Sequence, residues 1–491
     1  MSSSRLQYIF PTIAIVIGLL LLLYAIVPHG IGLSEDSISY LAAANSLHDV
    51  GAMRDIDGSV FVAWTPLYPL TIAALQFLPF KIENTLVALN LLVFMLTVIS
   101  SWLLIVKAME KMFFRVVCLL FIVCSFTIMQ VYAIALSEAV FLLLINLIAL
   151  VLTSNERHAT RNFFLLALLC GFTLLQRYIG IFVIPVVLIF VVRNKTLPPL
   201  ASRGWDLNIT RQRRAMAGLL FLFLALVPLS IWLMRNYLLT ETLTGFRADS
   251  SEHFAKNIVV LAETITSWML PVKIPLIIRV IALTGIFVLL RKNLRESNRI
   301  HLLVFVVYVL MLVVAYFLFS FEEPRDRLLA PTFISFSIML FSGMEYFIRH
   351  SSFVIRNSCM VVLCCWLLYP VVRIIKHVQL WHQEGIDVYN KPHWSNSETI
   401  AWLKEKENVP YGSIFSNDPS AIYYFTGKNA VRVPKSIYSF GQFNQSVTQE
   451  DLLVWWNGRE LYDVEVISAK YSLEEKARLD DGTVFRINPK P

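Results

Sequence analysis

Charge is scarce in this chain. Only 15% of the residues are charged, against about a quarter in a soluble domain, and 57% are hydrophobic. That balance argues against a soluble enzyme with a polar surface. The polar loops and the tail hold no cysteine: Cys118, Cys124, Cys170, Cys359, Cys364 and Cys365 all fall inside apolar stretches. This placement argues against a disulfide framework, offers no CxxC-type metal spacing and leaves the redox compartment undetermined. There is no GxGxxG, no GxxxxGK[ST] and no HExxH, so nothing points to an ATP-driven or zinc-hydrolase mechanism. Internal repeats and low-complexity runs are also missing.

What is present is apolar length. Stretches of about 15–23 residues recur, each near the length that crosses a hydrocarbon core of about 30 Å. The candidate spans are 8–27, 84–106, 113–134, 137–153, 162–176, 178–192, 215–234, 274–290, 300–320, 328–348 and 357–372. The bilayer is therefore the expected solvent for most of the chain. The run Tyr8 to Val27 follows Arg5 as a signal peptide would. It is longer than a signal core, however, and no small-residue cleavage pattern follows, so it reads as a retained first helix. The expected fold class is an all-α polytopic membrane protein of about eleven transmembrane helices, with a small extracytoplasmic α/β C-terminal domain. A transmembrane module spans 1–372 and the tail domain 373–491. In the tail a helix is expected at Ser397–Lys404, with strands at Gly412–Phe415, Val431–Pro434, Val464–Ile467 and Val484–Ile487.

The net charge is +8, with a pI near 9.1. The basic residues sit in short loops between apolar segments, which is an orientation signal and not a nucleic-acid footprint; no nucleic-acid partner is expected. One side collects Arg5; Lys107, Lys111 and Arg115; Arg157 and Arg161; Arg193, Lys195, Arg203, Arg211, Arg213 and Arg214; Arg291, Lys292, Arg295 and Arg299; Arg349 and Arg356. The positive-inside bias makes that side cytoplasmic. The N-terminus is then cytoplasmic and the C-terminus extracytoplasmic, in a plasma (bacterial inner) membrane. The outer face receives the loop 28–83, the loop 235–273 and the tail. Pro66–Phe80 and 257–273 read as pieces lying along the membrane surface.

The costly polar residues gather on that outer face. Asp36 follows Ser34 and Glu35 at the start of an amphipathic helix. It reads either as a first-turn acid complementing the helix dipole or as a general base at the water–lipid boundary. Trp64-Thr65-Pro66-Leu67-Tyr68-Pro69 is either an aromatic belt or a rigid pocket wall. Glu138 lies at the mouth of an apolar span, where it reads either as an ionisable group facing a cavity or a partner or as a snorkelling surface acid. Arg177, beside Tyr178, keeps its charge and needs an anion: a lipid phosphate, or Glu138 or Asp36 as a buried pair. Arg235 follows Trp232 at a helix end. Arg325 and Arg327 sit in the turn Glu322-Glu323-Pro324-Arg325-Asp326-Arg327, which reads either as a solvated turn or, being basic against the positive-inside bias, as a place that binds phosphate or diphosphate.

In order and spacing these pieces resemble the GT-C superfamily of integral-membrane glycosyltransferases, near the protein mannosyltransferase and aminoarabinose transferase group (glycosyltransferase family 39-like). The match runs over about residues 8–345. Asp36-Ser37-Ile38-Ser39-Tyr40 takes the place of that group's Asp-Glu-x-x-Tyr, and Thr65-Pro66-Leu67-Tyr68 that of its Pro-Pro-Leu-Tyr stretch. Glu138 matches an acid at the outer end of the fourth helix. Arg177-Tyr178-Ile179-Gly180 is similar to an Arg-Tyr-x-Gly piece of bacterial members. Trp232-Leu233-Met234-Arg235-Asn236-Tyr237 and Arg327-Leu328-Leu329-Ala330-Pro331 resemble later signatures. Where the group has Asp-Glu, this chain has Asp36-Ser37 with Glu35 in front. A divalent metal ion or sugar held by the second acid would be held differently here, or not at all; no cofactor is certain.

The resemblance implies a glycosyltransferase that moves a sugar from a polyprenyl-phosphate carrier to an extracytoplasmic lipid, glycan or protein, with inversion. Asp36 is the expected base. Glu35, Tyr40, Tyr68, Glu138, Arg177, Tyr178, Arg235, Arg325 and Arg327 are the expected substrate-binding residues. Two rivals stay open. A transporter or flippase of lipid-linked glycans places ionisable groups at mid-membrane, often with repeats. A non-catalytic assembly subunit would use its tail, where Ser416-Asn417-Asp418-Pro419 offers a turn.

Overall fold

The computed structural model describes residues 3–154, 159–193, 207–245, 254–290, 298–319, 323–405, 412–433, 451–458 and 464–489. Arg157, Lys195, Arg203, Arg291, Lys292, Arg295, Glu322 and Pro434 lie outside them. The chain divides into two compact units. The first comprises Met1–Pro28, Val62–Tyr68 and Asn84–Gln383; the second comprises His29–Phe61, Pro69–Glu83 and Glu384–Pro491.

In chain order the long helices are α1 (Ser3–Ile26), α2 (Glu35–Val50), α3 (Leu67–Leu75), α4 (Ile82–Ala108), α5 (Met112–Val123), α6 (Phe126–Ala133), α7 (Glu138–Leu152) and α8 (Ala159–Gln176). They continue with α9 (Val183–Arg193), α10 (Leu207–Thr240), α11 (Phe254–Ser267), α12 (Leu276–Leu290), α13 (Arg299–Leu318), α14 (Asp326–Arg349) and α15 (Phe353–Glu384). Among the described residues, six stretches are long and apolar enough to cross a bilayer: Tyr8–Ile26, Ile82–Ala108, Ala215–Thr240, Arg299–Leu318, Asp326–Arg349 and Phe353–Glu384. The α5–α6 pair, bent by 48°, makes a seventh. Shorter apolar helices at Glu138–Leu152, Thr160–Gln176, Tyr178–Val191 and Leu276–Ile286 occupy the other expected stretches. The protein is a polytopic membrane protein. Large apolar side chains such as Leu20, Phe223, Ile277 and Val361 are exposed on helices of the first unit, as lipid-facing surfaces require.

α14 is the centre of the first unit. It is buried along most of its length and packs against α5, α6, α7, α12 and α13. The bend between α5 and α6 has a local cause. Ser125 turns its hydroxyl to accept the Ile128 amide (3.1 Å) and donate to the Ile122 carbonyl (2.9 Å), so a new helix starts where the old one stops. At the start of α5 the buried Glu345 of α14 accepts the Lys111 amide at 2.6 Å, satisfying donors that a helix end leaves bare.

The second unit joins the first loop to the C-terminal segment. Ser34 caps α2 in a reciprocal box with Ser37, and Gly51 closes it in the left-handed conformation (φ 70°). Leu33 bridges Asp387, the Tyr389 amide donates to the Leu33 carbonyl (3.1 Å), and Arg432 pairs with Glu35 (2.8 Å). α2 packs on α17 (Pro419–Thr426), which follows α16 (Glu398–Lys404).

The sheet of this unit has strands β1 (Ile414–Ser416), β2 (Val431–Arg432), β3 (Asp451–Trp456), β4 (Tyr471–Arg478) and β5 (Gly482–Pro489), in the order β2-β1-β3-β5-β4. β1 runs parallel to β2 and β3; β5 is antiparallel to β3 and β4. Its core holds Phe415, Val433, Leu453, Ile467, Tyr471 and Ile487. One expected strand is corrected. Val464–Ile467 reads as a strand from its β-branched residues but forms the short helix α18 (Val464–Ser468), whose Ile467 enters that core. Tertiary packing overrides propensity there.

Candidate active site

The first unit brings Glu138, Arg177 and Arg327 together. Glu138 opens α7 and is almost wholly buried, an expensive position for a carboxylate without cations. Arg177 Nη1 lies 2.6 Å from Glu138 Oε1, and Arg327 Nε lies 3.6 Å from the same oxygen. The side-chain exposures grade outward, 1% for Glu138 against 14% for Arg177 and 13% for Arg327. The acid is therefore more deeply buried than the two arginine side chains that pair with it.

Local backbone explains each placement. Arg177 is a single extended residue (φ −157°, ψ 139°) between the end of α8 and the 3-10 turn Tyr178–Phe182. Gly180 allows that turn, because any Cβ there would strike the Thr173 carbonyl. Gln176 Nε2 donates to the Ser137 carbonyl (2.8 Å), and Arg177 Nη1 donates to Ser137 Oγ (3.0 Å). The α8 end is thus pinned to the residue before Glu138. Arg327 stands in the first turn of α14.

A second group forms around Tyr178. Its hydroxyl lies 3.1 Å from the Val62 carbonyl and 3.4 Å from that of Trp64. Trp232 Nε1 donates to it at 3.1 Å and Asn236 Nδ2 at 3.4 Å. Arg235 stacks on Trp232, 4.6 Å from the ring centroid, and donates to Asn236 Oδ1 at 3.0 Å. Tyr68 is fully buried.

Other expected residues lie elsewhere. Arg325 is exposed and chelates Glu323 Oε2 through Nε (2.9 Å) and Nη2 (2.7 Å); Lys256 meets the same acid at 2.7 Å. Those partners hold the Glu323 carboxyl below its usual range, through the hydrogen bonds from Lys256 and Arg325. Asp36, half-buried, and Tyr40, buried, belong to α2 in the second unit, as does the exposed Glu35 with its Arg432 partner. Among the described residues no three His, Cys, Asp or Glu side chains cluster as metal ligands. Glu35, the acid that stands in front of Asp36, is engaged by Arg432.

One polar group escaped the sequence. Asp326 accepts hydrogen bonds from Thr127 Oγ1 and Trp268 Nε1 (3.1 Å) and pairs with Arg373 at 3.3 Å. Arg373 and Tyr369 also donate to the Ser267 carbonyl, at 3.2 and 3.1 Å. Successive residues Arg325, Asp326 and Arg327 thus serve three different sets of partners. The one available signal was Arg373 itself, a cation just past an apolar stretch.

No protein-family model matches the chain, and no curated protein matches it in sequence. Solved structures do match it over its full length. ArnT from Cupriavidus metallidurans bound to undecaprenyl phosphate superposes with a TM-score of 0.59 at 10% identity, covering 99% of this chain and 98% of that one. The Archaeoglobus fulgidus oligosaccharyltransferase tethered with an acceptor peptide gives 0.56 at 10% identity, over 100% of this chain and 75% of that one. The arabinofuranosyltransferase AftD from Mycobacteria gives 0.53 at 13% identity, over 100% of this chain and 42% of that one. The chain therefore has the fold of the GT-C membrane glycosyltransferases, as its motifs led one to expect.

Proposed function

We propose that this protein is a membrane glycosyltransferase that moves one sugar from a polyprenyl-phosphate carrier to an extracytoplasmic acceptor, with inversion at the anomeric carbon. The observation that carries the reading is the graded cluster, a buried Glu138 behind the partly accessible Arg177 and Arg327. A carboxylate in that position orients two planar cations outward, and guanidinium pairs suit phosphate oxygens.

In the proposed reaction Asp36 accepts the proton of an acceptor hydroxyl as its oxygen attacks the anomeric carbon. The bond from that carbon to the phosphate oxygen breaks, and the carrier leaves as a phosphate. Negative charge grows on the leaving group as the bond opens, and preorganised cations count most there. Arg177 and Arg327 fill that role, with Tyr178 and Arg235 lining the donor site. The neighbours support the kind of chemistry: one of them was solved with undecaprenyl phosphate and another with an acceptor peptide.

The test uses purified full-length protein and a radiolabelled prenyl-phosphate sugar. The wild type should release prenyl phosphate and label an acceptor. Asp36→Asn should lose on the order of 10²–10⁴-fold in rate, the usual contribution of a general base, while its melting temperature holds. Full activity in Asp36→Asn removes the base assignment, and sugar translocated without bond cleavage favours a flippase.

A further inference from the structure

α12 begins Leu276-Ile277-Ile278-Arg279-Val280, and its arginine has no role in the cluster above. Arg279 is among the largest fully buried side chains of the chain, at 2% exposure. Its Nε donates to the Ile274 carbonyl (2.9 Å), and its Nη1 donates to the Glu263 carbonyl (3.2 Å) and to Thr266 Oγ1 (3.0 Å). These acceptors are neutral. Two of them belong to the C-terminal end of α11, whose dipole favours a cation. Among the described residues no carboxylate lies within ion-pair distance of Arg279, and its Nη2 donates to no protein atom. Asp326, by contrast, has its own arginine, and Glu138 has two. A guanidinium stays charged at any working pH, so Arg279 is a buried cation lacking an anion.

Arg279 lines one end of a cavity of about 450 Å³. The rest of the wall is nearly all hydrocarbon and aromatic, with Met269, Ala282, Ile286, Phe347, Leu363 and Trp366 prominent. The Trp366 indole is committed to the Met269 carbonyl (2.7 Å), so it offers the cavity only its ring. From Arg279 to Ile286 the wall runs about 10 Å along α12, at 1.5 Å per residue. A cation at the head of a long apolar slot matches a phosphate joined to an alkyl chain. A free inorganic anion would leave the slot empty. The volume falls in the range of single small ligands, about 300–1,000 Å³, which suits one acyl chain and not the many isoprene units of a polyprenyl carrier.

We propose that this cavity binds an anionic phospholipid of the surrounding membrane, with a phosphate oxygen on Arg279 Nη2 and one acyl chain along α12. The lipid supplies the missing anion and joins α11, α12, α14 and α15 around it. The site shares no residue with the Glu138–Arg177–Arg327 cluster and stands whether or not the glycosyltransferase reading does.

The test is lipid retention by full-length protein in mild detergent, read by native mass spectrometry after adding phosphatidylglycerol or phosphatidylcholine. The wild type should keep phosphatidylglycerol selectively and gain thermal stability from it. Ala282→Trp fills the slot while leaving Arg279 and its hydrogen bonds in place, and should weaken retention by about tenfold or more. Arg279→Met should lose the preference for the anionic lipid. Unchanged phosphatidylglycerol retention in Ala282→Trp overturns the proposal. So does equal retention of phosphatidylcholine, or selective retention of a polyprenyl phosphate instead.

Discussion

Glu138 and its arginines show how one residue's burial sets the task of its neighbours. A carboxylate this deep persists only with cations, and the two arginines that pair with it are less buried than it is. Arg325 and Arg327 separate this role from mere surface charge. Arg325 is exposed and tied to Glu323, and such pairs contribute no more than about 1 kcal/mol. Arg325→Ala should leave transfer and melting temperature nearly unchanged. Arg327→Ala removes the cation proposed to hold the leaving phosphate and should cost on the order of 10²-fold or more in rate, as loss of one preorganised donor does. Equal effects of the two substitutions on sugar transfer would reject the division. Asp55, in the loop after α2, gives a pH prediction. Burial raises its carboxyl above the ordinary 3.8, against hydrogen bonds from Ser39 and the Ile56 amide. The folded chain then holds this proton more tightly than the unfolded one. The group's contribution is full below pH 3.8 and is lost as pH rises through the raised folded value. Asp55→Asn removes the titration. Its melting temperature relative to wild type should therefore climb between acidic and neutral pH. A difference that stays flat across that range refutes the shift.

At the scale of elements, the turn that presents Arg177 depends on one missing side chain. Gly180→Ala drives a Cβ into the Thr173 carbonyl, backbone against backbone, with no rotamer to relieve it. Either α8 or the turn must move, and Arg177 moves with it. Gly180→Ala should lower the melting temperature and cut transfer together; a variant with both intact shows that the turn tolerates the atom. This element also marks what the sequence could tell. The pairing of Arg177 with Glu138 was one of the readings open from charge cost alone, beside Asp36 and a lipid phosphate. The Ser34 cap of α2 was equally legible, because capping is local. Arg373 was not, because α15 runs on to Glu384 well past its apolar part, which carries Arg373 into the helix and to Asp326. Arg279 was overlooked inside an apolar helix, although an intramembrane charge is itself a signal. In the tail, β3 is buried along nearly its whole length and so lacks the period-two pattern, while in the edge strand β4 the alternation of Tyr471, Leu473 and Ala477 is broken by the charged Glu475.

At the scale of the molecule, the division of the chain bears on which part suffices for function. The sequence reading places a membrane module in 1–372 and an extracytoplasmic domain in 373–491, and leaves the role of the second open. Within the second unit, however, the loop that carries Asp36 finds its partners in the C-terminal segment. Leu33 bridges Asp387, Glu35 pairs with Arg432, the Ile56 carbonyl accepts the Ala430 amide at 3.1 Å, and Asn45 reaches the Tyr423 hydroxyl at 3.5 Å. α2 is a helix of 16 residues, close to the length at which an isolated helix is marginal in water, so its order comes from packing. Those contacts are far apart along the chain, and local pattern carries no trace of them. A chain ending at residue 383 keeps every apolar helix of the first unit but strips α2 of α17 and of the strand pairing beside Leu33. It should still insert in membranes. Limited proteolysis should then cut it within 29–61, where the full-length protein resists, and sugar transfer should fall to background because the proposed base is no longer held. Retained transfer in that truncation would show that the first loop orders itself without the tail.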